Sequence, residues 1–365
     1  MRSDIKDIVK VACIYASTII GAGFASGQEI IRFFSVYNKG GFFGILLAGA
    51  LFSAIGCIVL DRVYRQRIRS YDEFIFPTLG WLGGWAVQLA ATVFMLCLFC
   101  IMLAGSGNVL SGWLGIPFEY AVLIMGLICM CFILSSIKGI VMLSTVVTPV
   151  MIAGIVLVGL YIILYRDASV FSPIGIIKGV TDSWVFSAGL YVSYNSLMSV
   201  IVMCGLLPYL KTRRTGQAGG ILGGALLCLV ALVLNAALFM FYPGAAESEI
   251  PVLGILGLYS RLAGSLYSVL LWLAMLVSAV NAGYCFVDRL SSKAGIDKKL
   301  LTVFLCAAAV PLSTLGFSRL IAAIYPVFGY IGLFLVLVIL FQGFGLIPER
   351  PGDKPPGRVK TKRFP

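Results

Sequence analysis

The sequence predicts an all-α polytopic membrane protein of about ten transmembrane helices, built as a 5+5 inverted repeat with discontinuous first and sixth helices. Three observations predict the ten spans; the odd number of spans per half and the glycine-rich polar stretches of the first and sixth predict the rest. Of 365 residues, 60% are hydrophobic and only 12% are charged, against roughly half and a quarter in soluble domains. The apolar residues gather in runs near the roughly 20 residues that cross a bilayer as a helix. The basic residues then alternate between the intervening loops, 21 of 27 falling on the side of both termini. That bias marks the cytoplasmic face of a membrane protein.

The spans fall at about 8–34, 40–60, 81–110, 119–135, 139–165, 184–210, 217–241, 260–287, 299–315 and 319–346. The first is too long for a cleaved signal peptide. Arg2, Lys6 and Lys10, the 62–69 arginines, Lys138, Lys211, Arg213 and Arg214, and the 289–299 cluster share one side with the basic tail. Both termini are therefore expected in the cytoplasm of a cell-membrane protein. Trp81 and Trp85, and Trp113 and Trp184, sit at opposite ends of spans as interfacial anchors. Pro149, Pro311 and Pro326 imply kinks. Residues 1–346 read as one transmembrane domain, with repeat one at about 8–165 and repeat two at about 172–346. Residues 347–365, rich in proline and charge, read as a disordered basic cytoplasmic tail.

Several function classes are excluded. The chain has no histidine, so it has no Ser-His-Asp triad and no histidine-bound zinc or haem. Its ten cysteines all lie in apolar runs, including Cys97 and Cys100 within 95–102, and read as small packing residues. No G-x-x-x-x-G-K-[ST] loop occurs, so ATP is not the driver. The net charge of +12 is topological and implies no nucleic-acid partner; membrane lipid and a small-molecule substrate are the partners expected. An enzyme is not expected, nor a cofactor.

Five spans are an odd number, so two five-span halves enter the membrane from opposite sides, the geometry of an inverted repeat. Gly40-Gly41-Phe42-Phe43-Gly44 at the second span is echoed by Gly219-Gly220-Ile221-Leu222-Gly223 at the seventh. The first span carries Gly21-Ala22-Gly23-Phe24-Ala25-Ser26-Gly27-Gln28-Glu29 deep in an apolar run. Glycine costs about 1 kcal/mol against alanine in a helix, and a carboxylate in hydrocarbon costs several. The sixth span holds Ser187-Ala188-Gly189-Leu190-Tyr191-Val192-Ser193-Tyr194-Asn195-Ser196. Breaks at these two matching places point to a substrate site. Close packing of small residues is the competing explanation. It leaves Gln28 and Glu29 unaccounted for, but it can serve for 187–196, where Ser, Tyr and Asn also bond between helices.

A helix broken at the midplane frees backbone groups that lipid cannot satisfy. Carbonyls near Ile20 and Gly21 suit a cation, and the amides beginning near Gly27 suit a carboxylate. Glu29 is a candidate proton carrier, as intramembrane carboxylates are functional candidates by default. An ion pair with Arg32, three residues on, is the alternative. Asn108, Asn235 and Gln342 read as interhelical hydrogen-bonding groups; Tyr284 and Tyr325 could line a cavity, although aromatic rings in spans more often serve packing.

Gly21-Ala22-Gly23-Phe24-Ala25-Ser26-Gly27-Gln28-Glu29-Ile30, followed by Phe33-Phe34, resembles the opening of the YkvI family of uncharacterised bacterial membrane proteins. That family is grouped with the amino acid–polyamine–organocation superfamily. The resemblance implies a LeuT-type fold and cation-coupled transport (symport) of an amino acid or similar small solute. Substrate contacts are then implied at Ala22, Gly23, Ser26 and Gly27, with Tyr191, Ser193 and Asn195. The family-type sodium position implies Ser278 and Asn281 of the eighth span, beside Ile20 and Gly21. Its usual pair of adjacent hydroxyls is missing, since Ala279 follows Ser278. Na⁺ and H⁺ both stand as candidate coupling ions. A receptor subunit that senses a ligand without transporting it is the alternative function.

Overall fold

A computed structural model describes residues 2–134, 137–164, 179–242 and 244–347, and all regular structure in them is helical. Residues 165–178 and all but the first residue of the expected basic tail lie outside the described residues. The first span is three pieces: α1 (Arg2–Ile19), α2 (Ala22–Ser26) and α3 (Gln28–Phe33). α4 (Lys39–Gln66), α5 (Tyr71–Leu114), α6 (Phe118–Leu134) and α7 (Ile137–Leu164) complete the first half. The second half is α8 (Trp184–Cys204), α9 (Arg213–Phe239), α10 (Pro251–Tyr259), α11 (Arg261–Ala294), α12 (Lys298–Ser313) and α13 (Phe317–Gly343). Six of these helices are long and apolar enough to cross a membrane by themselves.

Local chemistry sets the boundaries. Ser70, Thr212 and Ser260 cap the starts of α5, α9 and α11 by accepting the amide of the residue three further on. Gly115 and Gly295 close α5 and α11 in the left-handed conformation that glycine adopts without strain. Inside α5, Gly80 leaves helical geometry (φ 73°). This separates a short arm, 71–79, from the span expected to begin at 81.

The spans pack as an inverted repeat requires. α4 lies on α9, α5 on α11, α6 on α12 and α1 on α8, so each is against its counterpart in the other half. The fifth and tenth spans, α7 and α13, each bridge the two groups that result. The α4–α9 pair is a seam of small residues. Gly49 meets Cys228, Ser53 meets Gly224, Gly56 meets Gly220 and Leu60 meets Gly216, so one chain rises as the other falls. Without side chains in the way the backbones approach closely, the usual route to helix association in lipid. The two glycine runs serve different ends. Gly41 packs on the Phe34 carbonyl, whereas Gly219 and Gly223 receive Val11 and Tyr15 of α1.

Polar side chains fasten the basic end. Asp61 of α4 accepts from Arg65, and from Arg213 (2.5 Å) and Gln217 of α9. Arg62 donates to Gln342 of α13, which donates to the Thr78 carbonyl of α5. Toward the opposite end, Asn235 of α9 accepts from Ser35. Gln342 and Asn235 thus join helices as expected. Leucines such as Leu82, Leu89 and Leu266 stay exposed, as a lipid-facing surface demands.

The sixth span corrects an expectation. α8 runs unbroken through 187–196, and the interruption comes at its far end, where Gly205 and Leu206 lead into a 3₁₀ turn at Leu207–Tyr209. The polar residues that seemed to require a break are satisfied within the helix. Ser193, Asn195 and Ser196 each donate to the carbonyl four residues back, a bond that lets polar groups sit inside a span.

The seam yields a signed prediction. Gly→Ala in a helix ordinarily gains about 1 kcal/mol, but a Cβ at Gly220 would overlap the Gly56 backbone. G220A should therefore destabilise by about 1–3 kcal/mol, the cost of overpacking, read as a lower melting temperature in detergent. G264A, where a Cβ meets nothing, should not.

Candidate functional site

The break in the first span is made by two glycines. α1 ends at Ile19, and Gly21 takes an extended conformation before α2 begins. Gly27 then adopts a left-handed one (φ 87°) between α2 and α3. A side chain at Gly27 would also press on Leu238 and Val252 at 3.1 Å. The freed backbone groups find partners. The Ser26 hydroxyl donates to the Gly23 carbonyl and receives the Gln28 amide. The Tyr267 hydroxyl of α11 donates to the Ala25 carbonyl at 2.7 Å. The Gln28 side chain donates to the carbonyls of Ser248 and Glu249, just ahead of α10. α2 packs on α10 and α11, whereas α3 packs on α8, α9 and α13.

Glu29 is buried, 5% exposed. The Tyr194 hydroxyl of α8 donates to it at 2.7 Å, and Tyr325 of α13, whose ring lies 4.6 Å from that of Tyr194, faces it as well. Its other side is the Gly23 backbone, where a Cβ would overlap the carboxyl oxygen. Arg32 turns away: its electrostatic partner is Glu249, and its Nε is buried with no hydrogen-bond partner among the described residues. The expected alternative, an ion pair between Glu29 and Arg32, does not form.

Aromatic rings pack around the tyrosine that bonds this carboxyl. Tyr194 lies 4.6 Å from Tyr325, 5.5 Å from Phe33, 5.6 Å from Tyr191 and 6.1 Å from Phe94, centroid to centroid. Phe328 stacks on Phe94 at 4.8 Å. Tyr191 also meets Phe34 and Phe52, and with them lines a small apolar cavity shared by α2, α4, α8 and α9. Its hydroxyl is buried without a hydrogen-bond partner among the described residues.

The structure brings together most of the sequence-predicted residues. Ala22, Gly23, Ser26, Gly27 and Glu29 are all buried at the break, with Ile20 and Gly21 just before it. Tyr191 joins them through Phe33 and Phe34. Ser278 of α11 stands beside Gly21, its hydroxyl 3.7 Å from where a Cβ would be. Asn281 lies one turn further along α11. Ser193 and Asn195 spend their hydrogen bonds on α8, and the Ser193 carbonyl packs against Gly332 of α13. Among the described residues, no three His, Cys, Asp or Glu side chains gather to hold a metal. Sequence reasoning missed Tyr194, Tyr267 and Glu249 as parts of the site, and favoured packing over cavity lining for Tyr325. The available signal was the spacing of Tyr191 and Tyr194, which puts two phenols on one helical face.

No protein-family model matches the chain. An uncharacterized membrane protein, YkvI, of Bacillus subtilis (strain 168) is 26% identical over 337 residues, covering 91% of this chain and 94% of the relative. Among solved structures, a substrate-bound outward-open Na⁺-coupled sialic acid symporter matches with a TM-score of 0.57 at 12% identity, over 92% of this chain and 76% of that one. MhsT in complex with L-phenylalanine matches with a TM-score of 0.57 at 15% identity, over 93% and 89%. The fold is that of these transporters, as the sequence led us to expect.

Two substitutions separate the roles of the glycines. G27A should cost about 1–2 kcal/mol, because the left-handed conformation is strained for any residue with a Cβ, and lower the melting temperature. G23A meets only the flexible end of Glu29. It should leave the fold intact and displace the carboxyl from Tyr194, detectable as a change in tyrosine absorbance.

Proposed function

We propose that the chain is a secondary transporter, carrying a small solute with an amino group, such as an amino acid, past a site at the break of its first span. The observation that carries this reading is Glu29. It is a buried carboxyl at a helix break, held by the Tyr194 hydroxyl of another span. An ionisable group in that setting marks a solute or ion pathway. A fold shared with the L-phenylalanine complex of MhsT and with a sialic acid symporter supports the same reading.

In this reading Glu29 takes up and releases the coupling proton. The position between α1 and α11 retains Ser278 beside Gly21, but Ala279 supplies no second hydroxyl, so the coupling role goes to the carboxyl. Ala22, Gly23, Ser26 and Gly27 furnish backbone to the solute. Tyr191 and Tyr194 furnish the opposing wall. One group of helices rocks against the other around this fixed point. The basic loops set both termini in the cytoplasm of the cell membrane.

The test is reconstitution into liposomes with an imposed pH gradient and a panel of labelled amino acids and amines. Wild-type protein should move at least one of them together with protons. E29Q should lower that flux about tenfold or more, the effect of losing about 1.4 kcal/mol of differential stabilisation, without lowering the melting temperature. Binding with no flux would instead favour a ligand-sensing subunit. A Na⁺ requirement that survives E29Q would return the coupling role to Ser278.

A further inference from the structure

At the end of the molecule opposite the basic loops, three elements converge on one carboxylate. Glu249, in the turn ahead of α10, accepts from the Ser318 amide at the start of α13 at 2.9 Å and from the Asn108 side chain of α5 at 3.4 Å. Arg32, at the end of α3, faces it electrostatically. Glu249 serves as a remote cap. α13 starts from Gly316, which has no side chain to offer the first turn, and that turn carries Arg319 and no acidic residue. A helix start holds unsatisfied amides and partial positive charge, and Glu249 answers both.

Glu249 fills this place incompletely. The Arg32 guanidinium makes no hydrogen bond or ion pair among the described residues, and its Nε is buried. A guanidinium pairs best with a planar carboxylate that takes two N–H bonds at once. Glu249 is tethered short of that: Gln28 donates to the carbonyls of Ser248 and Glu249 and holds their backbone. Glu249 is exposed, and Asn108 and Ser318 are half-buried, so the place is open to solution.

We propose that Arg32, Asn108 and the start of α13 form a binding site for the carboxylate of a small organic anion, and that Glu249 is the protein's own occupant of it. An incoming carboxylate takes the Ser318 amide and pairs with the Arg32 guanidinium. The Glu249 side chain then swings into solution while Gln28 keeps its backbone in place. One carboxylate replaces another, so the charge at the site is unchanged. Glu29 takes no part, since it bonds Tyr194 and packs on Gly23. The site does not rest on the transporter reading.

The experiment follows the melting temperature of the purified full-length protein in sodium acetate, sodium phosphate or NaCl at one ionic strength. Glu249→Ala should melt below wild type, having lost the cap, and acetate should raise it again in a saturable way. NaCl should not. In wild type the tethered carboxylate competes at the roughly millimolar effective concentration of a short linker. Acetate should therefore act on wild type with an affinity about tenfold weaker or more. Adding Arg32→Gln to Glu249→Ala should weaken acetate about tenfold, the loss of a charge-assisted pair. If Glu249→Ala does not fold, Glu249→Gln, which keeps the shape and loses the charge, takes its place with the same expectations. The proposal is overturned if acetate acts on wild type and variant alike, or if its effect survives the loss of Arg32. It is overturned as well if phosphate acts at lower concentrations than acetate, or if neither anion does more than NaCl. Flux in liposomes is a separate outcome. A protein that moves no solute yet shows this rescue by acetate keeps the anion site and loses the transporter reading.

Discussion

The structure depends on one constraint: a polypeptide that stops being helical inside an apolar medium must find other partners for its backbone. Gly21 and Gly27 create that demand within the first span, and distant parts of the chain meet it. Tyr267 reaches from the eighth span to the Ala25 carbonyl, and Gln28 reaches to the carbonyls of Ser248 and Glu249. Glu249 in turn accepts from the Ser318 amide at the start of α13 and from Asn108 of α5. The break is therefore a junction through which α2, α3, α5, α11 and α13 are tied together. The carboxyl of Glu29 sits within it because Gly23 leaves room for it.

The second organising element is symmetry of packing. Spans that correspond between the halves lie against one another, and the closest pair, α4 with α9, meets through glycine, serine and cysteine. Asp61 reinforces the same pair at the basic end through Arg213 and Gln217. In a bilayer, apolar surface alone gives helices no reason to prefer one another over lipid. Close backbone approach and satisfied polar groups supply the preference here.

Much of this was legible in the sequence. The spans could be read because length, hydropathy and alternating basic loops are independent signals that agree. The first break could be read because glycine, serine, glutamine and glutamate together have no place on a lipid-facing helix. The sixth span misled for a physical reason. Serine and asparagine can bond to the carbonyl of the preceding turn, so their presence in an apolar run signals either a break or its absence. Tyr194 was hidden because a tyrosine in a span looks like a packing ring until its hydroxyl has a partner. α10 went unseen because nine residues are too few to show a period, and only the partners of Gln28 reveal what the segment does.

Gly27 has a mechanical consequence. The half-helices on its two sides belong to different neighbourhoods: α2 is held by α10 and α11, and α3 by α8, α9 and α13. The residue between them has no Cβ and already occupies a conformation outside the helix. Any relative motion of the two neighbourhoods is thus focused on a pair of backbone torsions, with little side-chain repacking at the pivot itself. The first span is in this sense an articulated rod, jointed two residues before the carboxyl it carries.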